Sequence, residues 1–402
     1  MSSSQVNKIE GITQAIILAA GEGQRLKPFT GLLPKVMLPI AGNPILQYVV
    51  EALAQNGIRR IVMVVGYKKE QVQDYFSSGQ GFGVEIDYVV QPQQLGTAHA
   101  LRQVRDLADD RFLVLAGDNI IDANTIAPLV NAAANTMLIK TQEDISKYGV
   151  VLVHDGLIRE VIEKPAEKIS NLVNTGIYAF NREVFDFLDD EVKLTSVIQR
   201  MITMDCDIFA RETDGTWLDA VYPWDILKLN NLILSRISPS LGGKLESGAV
   251  VKGPVSIGDG TVIRSNCYIV GPALIGDDCE IGPSVCIFPS TSVGNGAVIS
   301  PFSIVRNAII GNNVLIGPSS AIQDSIIAPG AIIRGRFTAR SGEATMMIEG
   351  EYYQVKMGAI VGNYSELADN VIVAPGVIIG NHCRIKPMKV IGENIPDGGL
   401  VI

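Results

Sequence analysis

Up to about residue 235, short apolar runs alternate with amphipathic segments. The runs predict β-strands and read QAIILAA (14–20), RIVMVVG (60–66), VEIDYVV (84–90) and RFLVLAGD (111–118). The segments at 44–57, 67–76 and 96–107 have the apolar spacing of helices. Gly57 follows the first of them, where a helix end favours a left-handed residue. This alternation predicts an α/β domain with a mostly parallel sheet, whose ligands lie at the carboxyl ends of the strands.

From about residue 248 the apolar positions recur every six residues. Ten such positions carry β-branched aliphatic residues: Val251, Ile257, Ile263, Ile269, Ile275, Ile281, Ile287, Val293, Ile299 and Val305. The positions two residues earlier carry small ones: Ala249, Val255, Thr261, Cys267, Ala273, Cys279, Val285, Thr291, Ala297 and Ser303. A period of six fits neither a helix nor a single strand, but it fits a chain that turns a corner every six residues. Each short strand then points one bulky and one small residue into a narrow prism.

The six-residue rhythm slips at Ile310 and is interrupted across about 334–358. It resumes as Val361, Leu367, Val373, Ile379 and Ile385, with the small column Ala359, Ser365, Val371, Val377 and Cys383. Cys267, Cys279 and Cys383 are therefore predicted to be interior residues, whereas Cys206 and Cys286 show no chemistry. We expect two domains, 1–236 and 237–402, with an insertion at about 334–358 in the second.

The six-residue pattern of apolar and small positions resembles that of the hexapeptide-repeat family, whose members form a left-handed parallel β-helix. The resemblance covers about 248–402. It implies a left-handed β-helix here, and the hand comes from the family rather than from the period. Members usually assemble as trimers along the prism, so the resemblance also implies a homo-oligomer, a trimer or a multiple of one.

Composition narrows the class of protein. The chain has 402 residues, of which 47% are hydrophobic and 19% charged, so it is globular and long enough for two or three domains. Its net charge of −9 argues against a nucleic-acid partner. Five cysteines without close pairs argue against a zinc site or a disulfide framework. No run is long enough to cross a membrane, and MSSSQVNKIEG lacks the apolar core of a signal peptide, so we expect a cytoplasmic protein.

The stretch AIILAAGEGQRLKPFTGLLPK (15–35) combines two glycines with three cations. Backbone N–H groups exposed at Gly21 and Gly23 can form a concave nest for an anion. Arg25 offers a planar fork to phosphate oxygens and Lys35 a compact point charge. Lys27 fits a phosphate contact and an ordinary surface position equally well. These features predict a binding site for a small anion, such as a phosphate group.

Neither common nucleotide fingerprint matches this stretch. The GxGxxG pattern would need a third glycine where Leu26 stands, and GxxxxGK[ST] has no match around the cations. The longer segment LAAGEGQRLKPFTGLLPKVMLPIAGNPIL instead resembles the signature of sugar-1-phosphate nucleotidylyltransferases, which have a Rossmann-like domain. One departure is Gln24, where the family more often has Thr or Ser. The resemblance implies catalytic roles for Arg25 and Lys35 and nucleotide contacts for the following positions: Leu18, Ala19, Ala20, Gly21 and Gly23.

Two aspartates are candidate ligands for Mg²⁺, which neutralises the phosphates in this family. Asp118 ends the buried run LVLAGD, where an unpaired carboxylate would be costly. The resemblance places a catalytic metal ligand at this position. WLDAVYPWD (217–225) resembles the family's second metal segment and points to Asp219, with Asp225 as the alternative. Few protein carboxylates are needed, because magnesium keeps water and phosphate ligands.

The base and sugar contacts are predicted from three further segments. QPQQLGTAHA (91–100) looks like the base-reading loop of uridylyl- and thymidylyltransferases, with Gln91, Gly96 and Thr97 as contacts and His99 as a packing residue. YGVV, EKP and NTGIY resemble the sugar-phosphate side. By that match, hexose hydroxyls would be bound by Gly149, Glu163 and Asn174, and the sugar phosphate by Lys164.

The expected reaction is attack by a sugar-1-phosphate, such as glucose-1-phosphate or N-acetylglucosamine-1-phosphate, on the α-phosphorus of UTP or dTTP, with release of pyrophosphate. One alternative is a bifunctional enzyme that also acetylates glucosamine-1-phosphate with acetyl-CoA, because 357–380 resembles the acetyl-CoA region of such enzymes, with Lys356 just before it. The histidine that acts as the base for acetyl transfer in those enzymes is missing from the corresponding region, 326–344, and His154 and His382 are poorly placed to act as the base instead. A second alternative is a non-catalytic regulatory subunit.

Overall fold

The computed structural model describes residues 11–165, 167–189 and 191–402, so the signal-peptide question falls on residues outside the described chain. Among the described helices, none has the length and apolar content needed to cross a bilayer. The chain forms two compact units. The first runs to Glu22 and includes Pro34–Met37 and Ile45–Asp219; the second comprises Gly23–Leu33, Leu38–Pro44 and Ala220–Ile402. These units divide the chain differently from the predicted domains 1–236 and 237–402.

The elements before residue 235 are numbered in chain order. The strands are β1 (Gln14–Ala19), β2 (Pro39–Ile40), β3 (Asn43–Pro44), β4 (Arg60–Val65), β5 (Glu85–Val90), β6 (Arg111–Ala116), β7 (Asn119–Ile121), β8 (Thr136–Thr141), β9 (Gly149–His154), β10 (Leu157–Glu163), β11 (Leu172–Asn181), β12 (Phe209–Glu212) and β13 (Trp217–Asp219). The helices are α1 (Ile45–Gln55), α2 (Lys69–Phe76), α3 (Thr97–Arg102), α4 (Ala123–Val130), α5 (Leu194–Thr203) and α6 (Pro223–Leu234). Short 3₁₀ helices occur at Gln24–Leu26, Phe29–Gly31, Lys35–Met37, Gln80–Phe82 and Arg182–Phe187.

The predicted strands form one half of the sheet in the first unit. They lie side by side in the order β5-β4-β1-β6, and every pairing among them is parallel. Ile16 and Ile17 are neighbours on β1, point to opposite faces, and are both fully buried in different apolar clusters. Burial on both faces explains why this strand is a continuous apolar run. Helix α1 ends before Gly57, whose φ of +80° confirms the left-handed residue expected there.

The other half of the sheet corrects the expectation of a mostly parallel arrangement. Strand β11 pairs antiparallel with β6, β8 and β9, and β10 pairs antiparallel with β9 and β12. The sheet is therefore mixed, and β12 is parallel to β8. A tight hairpin accounts for one reversal: Asp155 and Gly156 join β9 to β10 with φ values of +52° and +75°, as two-residue hairpin turns require. Helix α3 also ends at Arg102, earlier than the predicted residue 107.

The second unit is dominated by short strands. In chain order they are β14 (Ser240–Leu241), β15 (Lys244–Leu245), β16 (Val250–Lys252), β17 (Val255–Ile257), β18 (Val262–Ile263), β19 (Tyr268–Val270), β20 (Ala273–Ile275), β21 (Glu280–Ile281), β22 (Cys286–Ile287), β23 (Thr291–Val293), β24 (Val298–Ile299), β25 (Ile304–Arg306), β26 (Ile309–Ile310), β27 (Leu315–Ile316), β28 (Ala321–Gln323), β29 (Ile326–Ile327), β30 (Ile332–Ile333), β31 (Thr338–Ala339), β32 (Gly342–Ile348), β33 (Glu351–Met357), β34 (Ile360–Val361), β35 (Glu366–Leu367), β36 (Ile372–Val373), β37 (Ile378–Ile379), β38 (Arg384–Ile385), β39 (Val390–Ile391) and β40 (Leu400–Val401).

These strands, apart from β32 and β33, stack into three parallel sheets, which confirms the predicted parallel β-helix. Val255 pairs with Ala273, three six-residue repeats later, so each turn of the helix has three corners. From Ser292 the pairing distance is one residue shorter, since Ser292 lies opposite Ile309; this shortening explains the slip at Ile310. The left hand stays a prediction from the hexapeptide-repeat resemblance.

The two residue columns fill the prism as expected. From Ile257 to Val305 the β-branched positions are all 0–1% exposed, and the small column, including Thr261, Thr291 and Ser303, is buried beside them. Cys267, Cys279 and Cys383 are buried in the same way, and burial raises the pKa of each thiol. The prediction that these cysteines are interior residues is therefore confirmed.

The interruption of the repeat is narrower than the predicted 334–358. Phe337 and Ala339 still belong to the prism core, and β31 stacks on its neighbours. The insertion itself is an antiparallel hairpin of β32 and β33, after which Ile360 stacks directly on Ile326. The six-residue column is hidden here because the bulky Phe337 occupies the position of a small residue and Ala339 that of a β-branched one.

Helix α6 belongs to the second unit, although the predicted boundary places it in the first domain. Asn230 on this helix is fully buried and accepts a hydrogen bond from the hydroxyl of Ser292 at 2.9 Å. Its amide nitrogen donates to the carbonyl of Ser290 at 3.1 Å. A buried amide satisfied in this way fixes the helix against the β-helix.

We predict that Phe337→Ala destabilises the second unit by about 3–5 kcal/mol, because it leaves a cavity in the prism core. Phe302→Ala is the matched control, since Phe302 is 66% exposed and buries little area. Urea unfolding followed by circular dichroism gives both free energies of unfolding. Equal losses in the two variants would contradict the placement of Phe337 in the core.

Candidate functional site

A short two-stranded ladder brings two distant aspartates together in the first unit. Strand β13 pairs antiparallel with β7, and Asp219 lies opposite Asn119, the residue after Asp118. The buried indole of Trp217 anchors β13 by donating to the carbonyl of Thr175 at 2.9 Å. Two of the predicted metal ligands, about a hundred positions apart in the chain, therefore meet through a three-residue pairing.

Lys35 lies between these two carboxylates. Its Nζ donates to Asp118 Oδ2 at 2.6 Å and to Asp219 Oδ1 at 3.0 Å, and its side chain is only 14% exposed. Burial disfavours a charged ammonium, but the nearby charges of Asp118 and Asp219 outweigh that effect and raise the pKa of Lys35. The lysine therefore stays charged, and three of the predicted site residues form one cluster.

The chemistry of this cluster suits a divalent cation. Two carboxylate oxygens that contact the same nitrogen are close enough to share one ion, and magnesium takes one or two carboxylates together with substrate phosphates and water. Among the described residues there is no larger group of acidic, histidine or cysteine side chains that could hold a metal. Asp225, the alternative to Asp219, instead caps helix α6 by accepting the backbone N–H of Tyr222 at 2.9 Å.

Strand β1, whose end is predicted to contact the nucleotide, ends at Ala19. The carbonyl of Leu18 accepts from Gly117 N at 2.9 Å, and the carbonyl of Ala20 accepts from Tyr67 N at 3.2 Å. A Cβ at Gly21 would point into open space, so the backbone is accessible there. The backbone just after the strand is therefore accessible to a ligand. The contacts of these residues with a nucleotide stay predictions, and so does the contact of Ala19, whose side chain is buried.

The predicted base-reading loop is internally braced. Gln91 is 3% exposed, and its amide nitrogen donates to Gly96 O at 3.1 Å and lies 2.8 Å from Nδ1 of His99. Gly96 has a φ of +137°, and a Cβ there would lie 2.3 Å from the carbonyl oxygen of Val192, so glycine is required. The Gln91 amide therefore holds its own loop, a role that the sequence did not predict. His99 packs inside this loop, as expected.

Thr97 has a structural partner as well. Its hydroxyl accepts from the backbone N–H of Leu194 at 2.9 Å, at the start of helix α5. The contacts of Gln91, Gly96 and Thr97 with a base stay predictions.

The predicted sugar-side residues lie on three neighbouring strands. Gly149 on β9 is opposite Glu163 on β10, and a Cβ at Gly149 would lie 3.5 Å from the Glu163 carboxylate. Asn174 on the adjacent β11 donates to the hydroxyl of Tyr178 at 2.8 Å. Burial raises the pKa of Tyr178, so its hydroxyl stays protonated as a fixed partner for Asn174. Lys164 follows β10 with a φ of +42°.

Arg25 and Lys27 belong to the second unit rather than to the cluster of Lys35. The Nε of Arg25 donates to Oε2 of Glu349, at the tip of the β32–β33 hairpin, at 2.7 Å. That hydrogen bond raises the pKa of the guanidinium. Lys27 is exposed at the rim of an open cavity of about 450 Å³ that Arg25 and Glu349 also line. Whether Arg25 and Lys27 contact phosphate stays a prediction.

Sequence reasoning missed Glu349. A signal was present, because residues that favour strands lie on both sides of a central Glu-Gly pair in TMMIEGEYYQV, which indicates a two-residue hairpin turn. The six-residue column concealed it, since the segment was read only as an interruption of the repeat.

Comparison with known proteins assigns the family. The family model described as nucleotidyl transferase matches residues 14–236, more than half of the chain. The chain belongs to the nucleotidyl transferase family. It is an enzyme of the nucleotidyltransferase type, and the matched region contains the three residues of the Lys35 cluster.

Two relatives match the chain over almost its whole length. A protein named "Bifunctional protein GlmU" from Methanocaldococcus jannaschii is 34% identical over 402 residues, covering 96% of this chain and 97% of the relative. A "Bifunctional sugar-1-phosphate nucleotidylyltransferase/acetyltransferase" from Sulfurisphaera tokodaii is 31% identical over 96% of this chain and 98% of the relative. Among solved structures, a putative glucose-1-phosphate thymidylyltransferase from Bacillus anthracis is 32% identical, with a TM-score of 0.51 over 55% of this chain and 94% of that one.

We predict that Lys35→Met lowers the free energy of unfolding by about 1–3 kcal/mol, because the two carboxylates then repel each other without a cation between them. Added Mg²⁺ should recover part of this loss, since an ion that binds only the native state stabilises it. Urea unfolding with and without Mg²⁺ measures both effects.

Lys228→Met is the control for this prediction, because the side chain of Lys228 is 74% exposed and its distance to Asp225 is 4.0 Å. An Lys35→Met protein as stable as the control, with no response to Mg²⁺, would contradict the proposed cation site.

Proposed function

We propose that this nucleotidyl transferase joins a hexose-1-phosphate to a nucleotide, using UTP or dTTP and releasing pyrophosphate. The Lys35–Asp118–Asp219 cluster carries the proposal, since it combines a buried cation with two carboxylates suited to a divalent ion. A nucleoside triphosphate needs this combination of charges, because transfer at phosphorus depends on positioning and charge neutralisation. The relatives' printed names support a sugar-1-phosphate as the second substrate.

The residues of the cluster would have two roles, which are to bind the metal ion and to neutralise the charge of the phosphates. Lys35 places a permanent positive charge where phosphate oxygens gain negative charge during the reaction. Asp118 and Asp219 would hold Mg²⁺, which would screen the phosphates and polarise the α-phosphorus. An oxygen of the sugar phosphate forms the new bond to the α-phosphorus as the bond to pyrophosphate breaks. No general base is required, because that oxygen is already ionised at neutral pH.

The sugar would bind at the three strands that carry Gly149, Glu163 and Asn174. Glu163 can accept hydrogen bonds from hydroxyl groups, and Gly149 opposite it has no side chain that would contact the same carboxylate. Lys164, directly after Glu163, would pair with the sugar phosphate. The identity of the hexose is left to a substrate panel.

A non-catalytic regulatory subunit is a poorer explanation. Such a protein has no need to keep a buried ammonium between two carboxylates, since each buried charge costs free energy. The three side chains are retained and contact one another at 2.6 and 3.0 Å.

We predict that the wild type releases pyrophosphate from UTP or dTTP with a hexose-1-phosphate only when Mg²⁺ is present. Asp118→Ala should lose at least ~100-fold in kcat/KM, the scale of removing one preorganised charge-stabilising group. Asp109→Ala is the control, because Asp109 is an aspartate of the same unit that pairs with Arg60 away from the cluster. An Asp118→Ala enzyme as active as the control would reject the assignment.

Acetyl transfer in the β-helix is a second candidate, favoured by the name of the Sulfurisphaera tokodaii relative and its full-length match. A general base is needed to take a proton from the amino group. The chain has three histidines: His99 packs against Gln91, His154 is on β9 of the first unit, and His382 stacks on Tyr364 at an exposed corner. None of them lies on the hairpin that carries Lys356.

We predict that the wild type does not consume acetyl-CoA with glucosamine-1-phosphate, because the histidine that serves as base in bifunctional enzymes is missing. Thiol release from acetyl-CoA measures this directly. Clear turnover would show the prediction wrong, and a His382→Ala variant would then report whether His382 is the base.

A further inference from the structure

We infer that Glu349 is a positioning residue for Arg25, holding the guanidinium through its Nε so that the Nη1 and Nη2 edge stays available to an anion. The inference rests on the proposed function, because it takes Arg25 to be a triphosphate contact. Glu349 comes from the hairpin inserted in the β-helix, far from the nucleotide signature in sequence.

The atoms in contact indicate that Glu349 orients Arg25 and does not block the guanidinium from a ligand. Glu349 Oε2 accepts from Nε of Arg25, the nitrogen within the side chain, at 2.7 Å. Within the part of the chain that the structure describes, Arg25 donates its side-chain hydrogen bond through Nε, and its two terminal guanidinium nitrogens donate none. An arginine held through Nε keeps its Nη1 and Nη2 edge for a bidentate contact with phosphate. The side chains of Arg25 and Glu349 are 41% and 46% exposed, so a ligand can reach the pair.

The β32–β33 hairpin, which carries Glu349, is held in place by packing and by a hydrogen bond. Met346 and Met357 are buried on its inner face. The hydroxyl groups of Tyr353 and Tyr222 lie 2.7 Å apart, and Tyr222 stacks on Trp224 with a centroid distance of 4.7 Å. These contacts hold the hairpin to the start of helix α6 within the second unit.

The turn at the hairpin tip is not optimised for turn formation. Glu349 and Gly350 occupy its two positions with φ values of +51° and +86°. Asn, Asp or Gly is favoured at the first position, because glutamate in a left-handed conformation costs about 1 kcal/mol. Glutamate at this position therefore costs conformational free energy in the turn, but its side chain is long enough to reach Arg25. The strained position therefore points to a role outside the turn.

The loop that carries Arg25 is anchored at a second point. The amide nitrogen of Asn381 donates to the carbonyl of Pro28 at 3.0 Å. Asn381 is 2% exposed and also accepts from the backbone N–H of Asn363 at 2.8 Å. One corner of the β-helix thus fixes the loop backbone, while Glu349 fixes the orientation of its guanidinium.

The test compares Glu349→Asn with Glu349→Gln. Asparagine suits the turn but is too short to reach Arg25, whereas glutamine keeps the reach and loses the charge. We expect Glu349→Asn to weaken triphosphate binding about 3- to 10-fold, measured as KM in pyrophosphate release and as Kd for UTP or dTTP by calorimetry. Its melting temperature should equal or exceed that of the wild type. Glu349→Gln should recover part of the affinity.

A double-mutant cycle and a control on the same hairpin complete the design. In an Arg25→Ala background, Glu349→Asn should have no further effect, because Glu349 acts through Arg25. Glu343→Ala, at an exposed position on β32, should bind triphosphate like the wild type. Unchanged or tighter binding by Glu349→Asn, or a full loss that persists without Arg25, would overturn the inference. Absence of turnover in the wild type would reject the proposed function instead, and the calorimetric Kd would still decide the role of Glu349.

Discussion

A single ammonium group between two carboxylates holds the candidate site of the first unit together. Lys35 is too deeply buried to stay charged alone, and Asp118 and Asp219 would repel each other without it. The three charges therefore require one another, and they can meet only if β13 pairs with β7 in the observed register. The same mutual dependence makes the cluster suitable for a divalent ion and phosphates, which bring in the same two signs of charge.

The second unit is built on a different constraint, which is the fixed width of a narrow prism. Each turn of the β-helix must place one β-branched and one small residue inside, so the sequence repeats every six residues and the cysteines serve as small interior residues. Because consecutive coils contact only their neighbours, an insertion at one corner leaves the stack intact. Ile360 stacks on Ile326 across the hairpin for this reason. The β-helix can thus carry an added element that serves another part of the chain.

Particular residues show where prediction from sequence succeeded and where it stopped. Ile16 and Ile17 lie in a run apolar enough to identify β1, and the column from Ile257 to Val305 identified the prism. Strands β8 to β12 were not predicted in detail, because their pairings, such as those of β11 with β6 and β8, join segments far apart in sequence. Asp118 and Asp219 were found through motifs, yet their contact depends on three-residue strands that leave no periodic signal.

The hairpin shows a further limit of sequence reasoning, since the significance of Glu349 depends entirely on its partner. A glutamate in a turn is unremarkable in sequence, and its cost becomes visible only when the backbone conformation is known. Ordering the loop from Gly23 to Leu33 also costs conformational entropy. Asn381 and Glu349 supply that order from the β-helix. The β-helix therefore has a structural role in this loop that requires no reaction of its own.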